Sequence, residues 1–206
     1  MSRLLISSSV LVVIVLLTVN LTAKSSTESS TGKIVFLGDS HMAFTDWNGL
    51  FSNDDIINRG INGDDSQRIY NRLGSVIKDN PKKVFIMVGT NDIFRCVTPE
   101  KFIQTYDNIL FVLTKKLPHA EIYVMTILPV NLENDLIYNK IVVSLNEKIK
   151  QDVEYHKNDN IKFLDIYESF TSAGTLKLNP SFTFDGIHLT DQGYLNWKQQ
   201  IRPYVR

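Results

Sequence analysis

The chain has 206 residues, enough for one sizeable domain and too few for two ordinary ones without crowding. With 43% apolar and 21% charged residues, the composition excludes a disordered protein. Lys+Arg and Asp+Glu both count 22, and no basic block stands out, which argues against a nucleic-acid partner.

Met1 to Lys24 differs from everything after it. Arg3 is a positive start, Leu4 to Leu21 is almost wholly apolar, and a polar run, Lys24 to Gly32, follows. This order reads as a secretory signal, or as an uncleaved membrane tether through residues 4–22. Either reading places the remaining chain outside the cytoplasm. Residues 1–31 are therefore expected to be signal or anchor plus linker, and 32–206 one domain. Cys96 is the only cysteine, so no intrachain disulfide can form, and a buried free thiol is expected.

From Gly32 onward, short β-branched runs alternate with segments of helical period. Strands are predicted at Lys33–Leu37, Ile56–Asn58, Lys83–Val88, Glu121–Leu128 and Ile161–Leu164. Helices are predicted at Ser66–Lys78, Pro99–Lys116, Leu136–His156 and Asp191–Val205. Thr98-Pro99 reads as an N-cap followed by proline at the first helical position. On the third helix, Leu136, Ile137, Ile141, Val142, Leu145, Ile149 and Val153 form a stripe expected to pack on the sheet. Val84 to Val88 is apolar on both faces, which suits the middle of a parallel sheet covered on each side. The alternation as a whole predicts a doubly wound α/β domain with right-handed crossovers.

In such sheets ligands bind outside the carboxyl ends of the strands, so reactive residues are sought where the apolar runs stop. The first run stops at Gly38-Asp39-Ser40-His41 and the second at Asn58-Arg59-Gly60-Ile61-Asn62-Gly63-Asp64. The third stops at Gly89-Thr90-Asn91-Asp92, and Asp185-Gly186-Ile187-His188 stands just before the last helix.

These blocks, in this order, resemble the SGNH (GDSL-type) hydrolase family over nearly the whole of the domain. The matching positions are Ser40, Gly60, Asn91 and His188, with Asp185 three residues before the histidine. The resemblance implies a three-layer α/β/α fold with a central five-stranded parallel sheet, flavodoxin-like in order. It also implies an esterase with a Ser40–His188–Asp185 triad: a serine hydroxyl needs a base within reach, and a carboxylate fixes the tautomer of that base. The oxyanion donors implied are the N–H groups of Ser40 and Gly60 and the amide of Asn91, worth about 3–4 kcal/mol each. A helix starting at Ser40 would add its positive end. Neither cofactor nor metal is implied. One departure is visible, His41 in place of the family's leucine, and it is expected to alter the pocket wall rather than the chemistry.

The resemblance leaves the ester open. A small-molecule or glycan ester, with an acetyl or other short acyl group, is the leading expectation; lysophospholipid and thioester substrates, acyl transfer and a binding module without turnover remain beside it. Asp39 is expected to cap the turn at Ser40, Asp64 and Asp92 to shape turns, and His119 and His156 to serve at helix ends. Phe44 and Trp47 are expected either in the core or at the pocket. No G-x-S-x-G, P-loop, H-E-x-x-H or dinucleotide G-x-G-x-x-G occurs.

Overall fold

A computed structural model describes residues 32–205; the expectations for Met1 to Thr31 lie outside these described residues. Five strands, β1 (Ile34–Gly38), β2 (Ile56–Gly60), β3 (Lys83–Met87), β4 (Glu121–Met125) and β5 (Ile161–Leu164), form one sheet. Its order is β2-β1-β3-β4-β5 and every pairing is parallel. The helices are α1 (Ser40–Ala43), α2 (Trp47–Phe51), α3 (Ser66–Asn71), α4 (Leu73–Asp79), α5 (Thr90–Phe94), α6 (Pro99–Lys116), α7 (Asp135–His156) and α8 (Asp191–Ile201). The fold is the expected three-layer α/β/α arrangement, with β3 at the centre of the sheet.

Alternation along the strands builds two cores. Val35, Leu37, Val84, Ile86, Ile122 and Val124 face the layer of α3, α4, α6 and α7. Ile34, Phe36, Phe85, Met87, Tyr123 and Met125 face the opposite layer, with Met42, Trp47 and Trp197. On that second face Trp47, Phe36, Phe85 and Tyr123 stack in a row, their centroids 4.4, 4.9 and 4.6 Å apart. Such contacts add about 0.5–1.5 kcal/mol per pair to the burial itself. Trp47 is thus a core residue, and it is tied by its indole N–H to Met42 O at 2.9 Å, just behind Ser40.

Several elements differ from expectation. The helix predicted over Ser66–Lys78 breaks at Arg72, whose guanidinium turns inward to Asp64 Oδ2 (2.6 Å) and Gly38 O (3.0 Å). The fourth strand ends at Met125, not Leu128. Beyond it, Asn146 of α7 bonds both the N–H and the carbonyl of Ile127, and Asn139 does the same for Val130. Two buried amides thereby replace a neighbouring strand, satisfying main-chain groups that would otherwise be orphaned. They also rotate the face of α7. Val142, Leu145, Ile149 and Val153 are buried as expected, but Leu136, Ile137 and Ile141 are exposed. Cys96 is exposed as well, at a left-handed position (φ 55°) two residues after the end of α5.

Candidate active site

β1, β2 and β3 end level with one another: Gly38 pairs with Gly60 on one side and Met87 on the other. The segments that follow therefore leave from one edge of the sheet, and the loop before α8 returns to it. Ser40 opens α1, which Asp39 caps by accepting the His41 N–H at 3.0 Å, so the capping role expected of Asp39 holds. α1 has only four residues, too few to add much dipole at Ser40.

Ser40 Oγ lies 3.0 Å from His188 Nε2, and His188 Nδ1 lies 2.6 Å from Asp185 Oδ2. The same carboxylate shapes the turn that carries it, since Asp185 Oδ1 accepts the N–H groups of Ile187 (2.9 Å) and His188 (2.7 Å). Burial alone would raise the Asp185 carboxyl, but the hydrogen bonds from the His188 ring and main chain outweigh it and hold the group below its ordinary range. Phe44 and Phe184, both exposed, flank the imidazole with centroids at 5.0 and 6.0 Å. Of the two roles expected for Phe44, the structure thus places it at the site and not in the core.

Residues 36–195 match the GDSL-like Lipase/Acylhydrolase family. The chain belongs to this family. It is accordingly a carboxylic ester hydrolase. The alpha2 subunit of platelet-activating factor acetylhydrolase IB from Rattus norvegicus is 30% identical over 170 residues, covering 78% of this chain and 70% of that one. A GDSL-like lipase from Bacteroides thetaiotaomicron superposes with a TM-score of 0.71 at 24% identity, covering 84% of this chain and 87% of the other. A catalytic mutant of an acetylxylan esterase from Geobacillus stearothermophilus gives 0.69 at 20% identity, covering 85% and 94%. At such identities the two structures speak for the fold.

The remaining predicted residues of this hydrolase divide. Asn91 sits in the first turn of α5 and donates one amide hydrogen to Asp64 O at 2.9 Å, which leaves its second N–H available. Asp64 is itself held by Arg72, so a partly buried ion pair helps fix the segment that the Asn91 amide bonds. Gly60, in contrast, does not offer its N–H: Asn58 Oδ1 takes it at 2.8 Å. A Cβ at Gly60 would lie 2.3 Å from Ala43 N and 2.6 Å from Met42 C, so this glycine is needed for α1 to pack on β2. The second glycine of that block, Gly63, has φ +78°, and no described residue accepts its N–H. The Asn62-Gly63 pair, a left-handed turn signal beside a strand-interior Gly60, could have separated the two from sequence.

His41 also departs from expectation. It is fully buried rather than part of a pocket wall, between Asp39 Oδ1 (3.2 Å) and Ile187 O (3.0 Å). Asp92 accepts three contacts from Ser66 and is a structural group rather than part of the Ser40 cluster.

A cavity of about 940 Å³ lies between α7 and the segment after β5, and none of Ser40, Asp185 or His188 lines it. Asp107, Asp152 and His156 bring possible metal-ligand atoms within 4.8 Å of one another. They stand where α7 leads into the amino end of β5, the edge opposite Ser40, and His156 already pairs with Asp107 at 2.9 Å. Among the described residues no helix is long and apolar enough to cross a membrane.

Proposed function

We propose that Ser40 is the nucleophile of a short-chain O-acyl esterase, with His188 as base and Asp185 as the group that orients it. The observation that carries this reading is the continuous contact from Ser40 Oγ through His188 to Asp185, at 3.0 and 2.6 Å. Ser40 Oγ attacks the ester carbonyl while its proton passes to His188 Nε2. His188 then returns the proton to the departing alcohol, leaving the acyl group on Ser40. Water, deprotonated by the same nitrogen, attacks the acyl-enzyme and releases the acid. Asp185 fixes the tautomer throughout and stabilises the transient imidazolium.

The developing oxyanion is received by the N–H of Ser40, the free amide hydrogen of Asn91, and the N–H of Gly63 in place of Gly60. The exchange is supported by the engaged N–H of Gly60 and the unengaged one of Gly63. Donors fixed in advance act at the point where charge develops and need no reorganisation during the reaction.

An acetyl or other short acyl group on a carbohydrate or small-molecule alcohol is the substrate that fits best. Curated relatives at 29–30% identity are acetylhydrolases, and the exposed rings of Phe44 and Phe184 give the alcohol part a flat apolar surface beside His188. The signal-like pattern of Met1 to Lys24 supports action outside the cytoplasm. The test is a series of p-nitrophenyl esters from acetyl to palmitoyl with Ser40→Ala as control. The expected result is kcat/KM falling steeply with chain length. A preference for long chains would replace this reading by a lysophospholipase or thioesterase.

A further inference from the structure

The residue after the nucleophile is a second histidine, and its surroundings decide its protonation state. His41 Nε2 lies 3.0 Å from Ile187 O, which can only accept, so this nitrogen must carry a hydrogen. Nδ1 lies 3.2 Å from Asp39 Oδ1. A neutral ring would turn a bare lone pair toward that carboxylate, whereas a protonated one donates to it. Asp39 is itself wholly buried, and its Oδ2 has no hydrogen-bond partner among the described residues, so a carboxylate there is stabilised by a nearby cation. Both contacts thus call for an imidazolium.

The contacts join two segments far apart in sequence. Asp39 belongs to the turn that presents Ser40, while Ile187 stands between Asp185 and His188 and immediately before the base. The centroids of the His41 and His188 rings are 5.9 Å apart. Tyr194 of α8 closes a third side by donating to His41 O at 2.9 Å.

We propose that His41 is a positioning residue for ester hydrolysis: donating from both ring nitrogens, it latches the nucleophile turn to the Ile187 carbonyl and so holds His188 over Ser40. The proposal rests on the roles given above to Ser40 and His188. Shifts of about 1 Å in a reacting pair are enough to cost on the order of 100-fold in rate, so a small packing change at His41 has a large lever.

The latch is sensitive to pH. Burial disfavours the cation, but Asp39, the Ile187 carbonyl and Asp185 together outweigh it and raise the imidazole above its ordinary value. The titratable groups facing it are Asp39 from the β1–α1 turn, Asp185 and His188 from the returning loop, and Tyr194 from α8; Tyr138 of α7 faces Asp39. At high pH the ring loses one proton and with it one of the two contacts.

The experiment has two arms. In wild-type protein, the imidazole 15N and 1H signals of His41, assigned by their absence from His41→Gln, report its protonation at pH 7. Two N–H groups are expected, and one protonated nitrogen would overturn the proposal whether or not any variant folds. In the second arm, kcat and KM for p-nitrophenyl acetate are followed against pH. His41→Gln can still donate to one acceptor but cannot carry charge. It is expected to lower kcat 10- to 100-fold with KM little changed, and to lack the alkaline fall expected of the wild type. A folded His41→Gln with wild-type kcat and pH profile would make His41 a packing residue only. Hydrolysis that persists in Ser40→Ala would instead refute the nucleophile assignment, and it leaves the 15N result to be read separately.

Discussion

Removing the Asn91 amide separates a catalytic donor from a structural one. Its Nδ2 donates one hydrogen to Asp64 O at 2.9 Å and has one to spare for an oxyanion. Asn91→Ala loses both. The first loss costs about 1 kcal/mol of stability, or roughly 2–4 °C in Tm for a domain of this size. The second costs about 2.7–4 kcal/mol in the transition state, a fall of about 100- to 1000-fold in kcat. Because the oxyanion forms in both acylation and deacylation, no change of rate-limiting step can hide the effect. KM should change little, since the ground-state carbonyl gains much less from the donor. Asn91→Asp should be at least as slow, as a carboxylate offers no hydrogen and repels the developing charge. The assay is steady-state hydrolysis of p-nitrophenyl acetate alongside thermal unfolding. A fall of less than about fivefold in kcat, with the expected loss of Tm, would show that Asn91 only holds the Asp64 segment and would refute its place in the oxyanion hole.

Two further predictions concern the frame around the site. Gly60→Ala drives a Cβ into the main chain of α1, which cannot give as a side chain can, so it should destabilise the fold by more than the about 1–3 kcal/mol of ordinary overpacking; Gly63→Ala has open space apart from Arg95 at 3.9 Å and should cost only the roughly 1–2 kcal/mol of a left-handed backbone. Equal melting temperatures for the two variants would contradict this. Asp92 is pushed up to about 6, chiefly by burial and against the hydrogen bonds from Ser66. The unfolded chain releases this proton near pH 4 while the folded one keeps it, so folding takes up a proton between about pH 4 and 6 and stability falls as pH rises through that window. Denaturant titrations of wild type and Asp92→Asn should therefore show their stability difference moving against the wild type by about 2–4 kcal/mol from pH 4 to 7. A flat difference would refute it.

Much of this was legible in the sequence because strands and turns write their signals locally. Val84 to Val88 reads as a central strand since nothing polar interrupts it, and β3 is central. Ser40 and Asn91 stand where apolar runs stop, and a parallel sheet gathers such ends at one edge; Asp185 and His188 stand just before the last helix. The misreadings arise where a contact is made across the fold. Gly60 and Gly63 stand in one block; the Asn62-Gly63 turn signal hints at the difference, but what occupies Gly60, the packing of α1 and the reach of Asn58, is visible only in the fold. The face of α7 is set by Asn139 and Asn146 bonding the chain after β4, so a hydrophobic stripe alone points it wrongly. α1, α2 and α5 have four or five residues each, too few for a helical period to show. His41 reads as a neighbour of the nucleophile, while its partner Ile187 lies 146 residues away.

The most direct test of the central claim is covalent labelling at Ser40. A fluorophosphonate reacts with an activated serine, and mass spectrometry of the digested protein locates the adduct. One adduct per chain is predicted, on the peptide containing Ser40, absent from Ser40→Ala and much slowed in His188→Ala. Folded wild-type protein that takes no label, or takes it on another serine, would contradict the account.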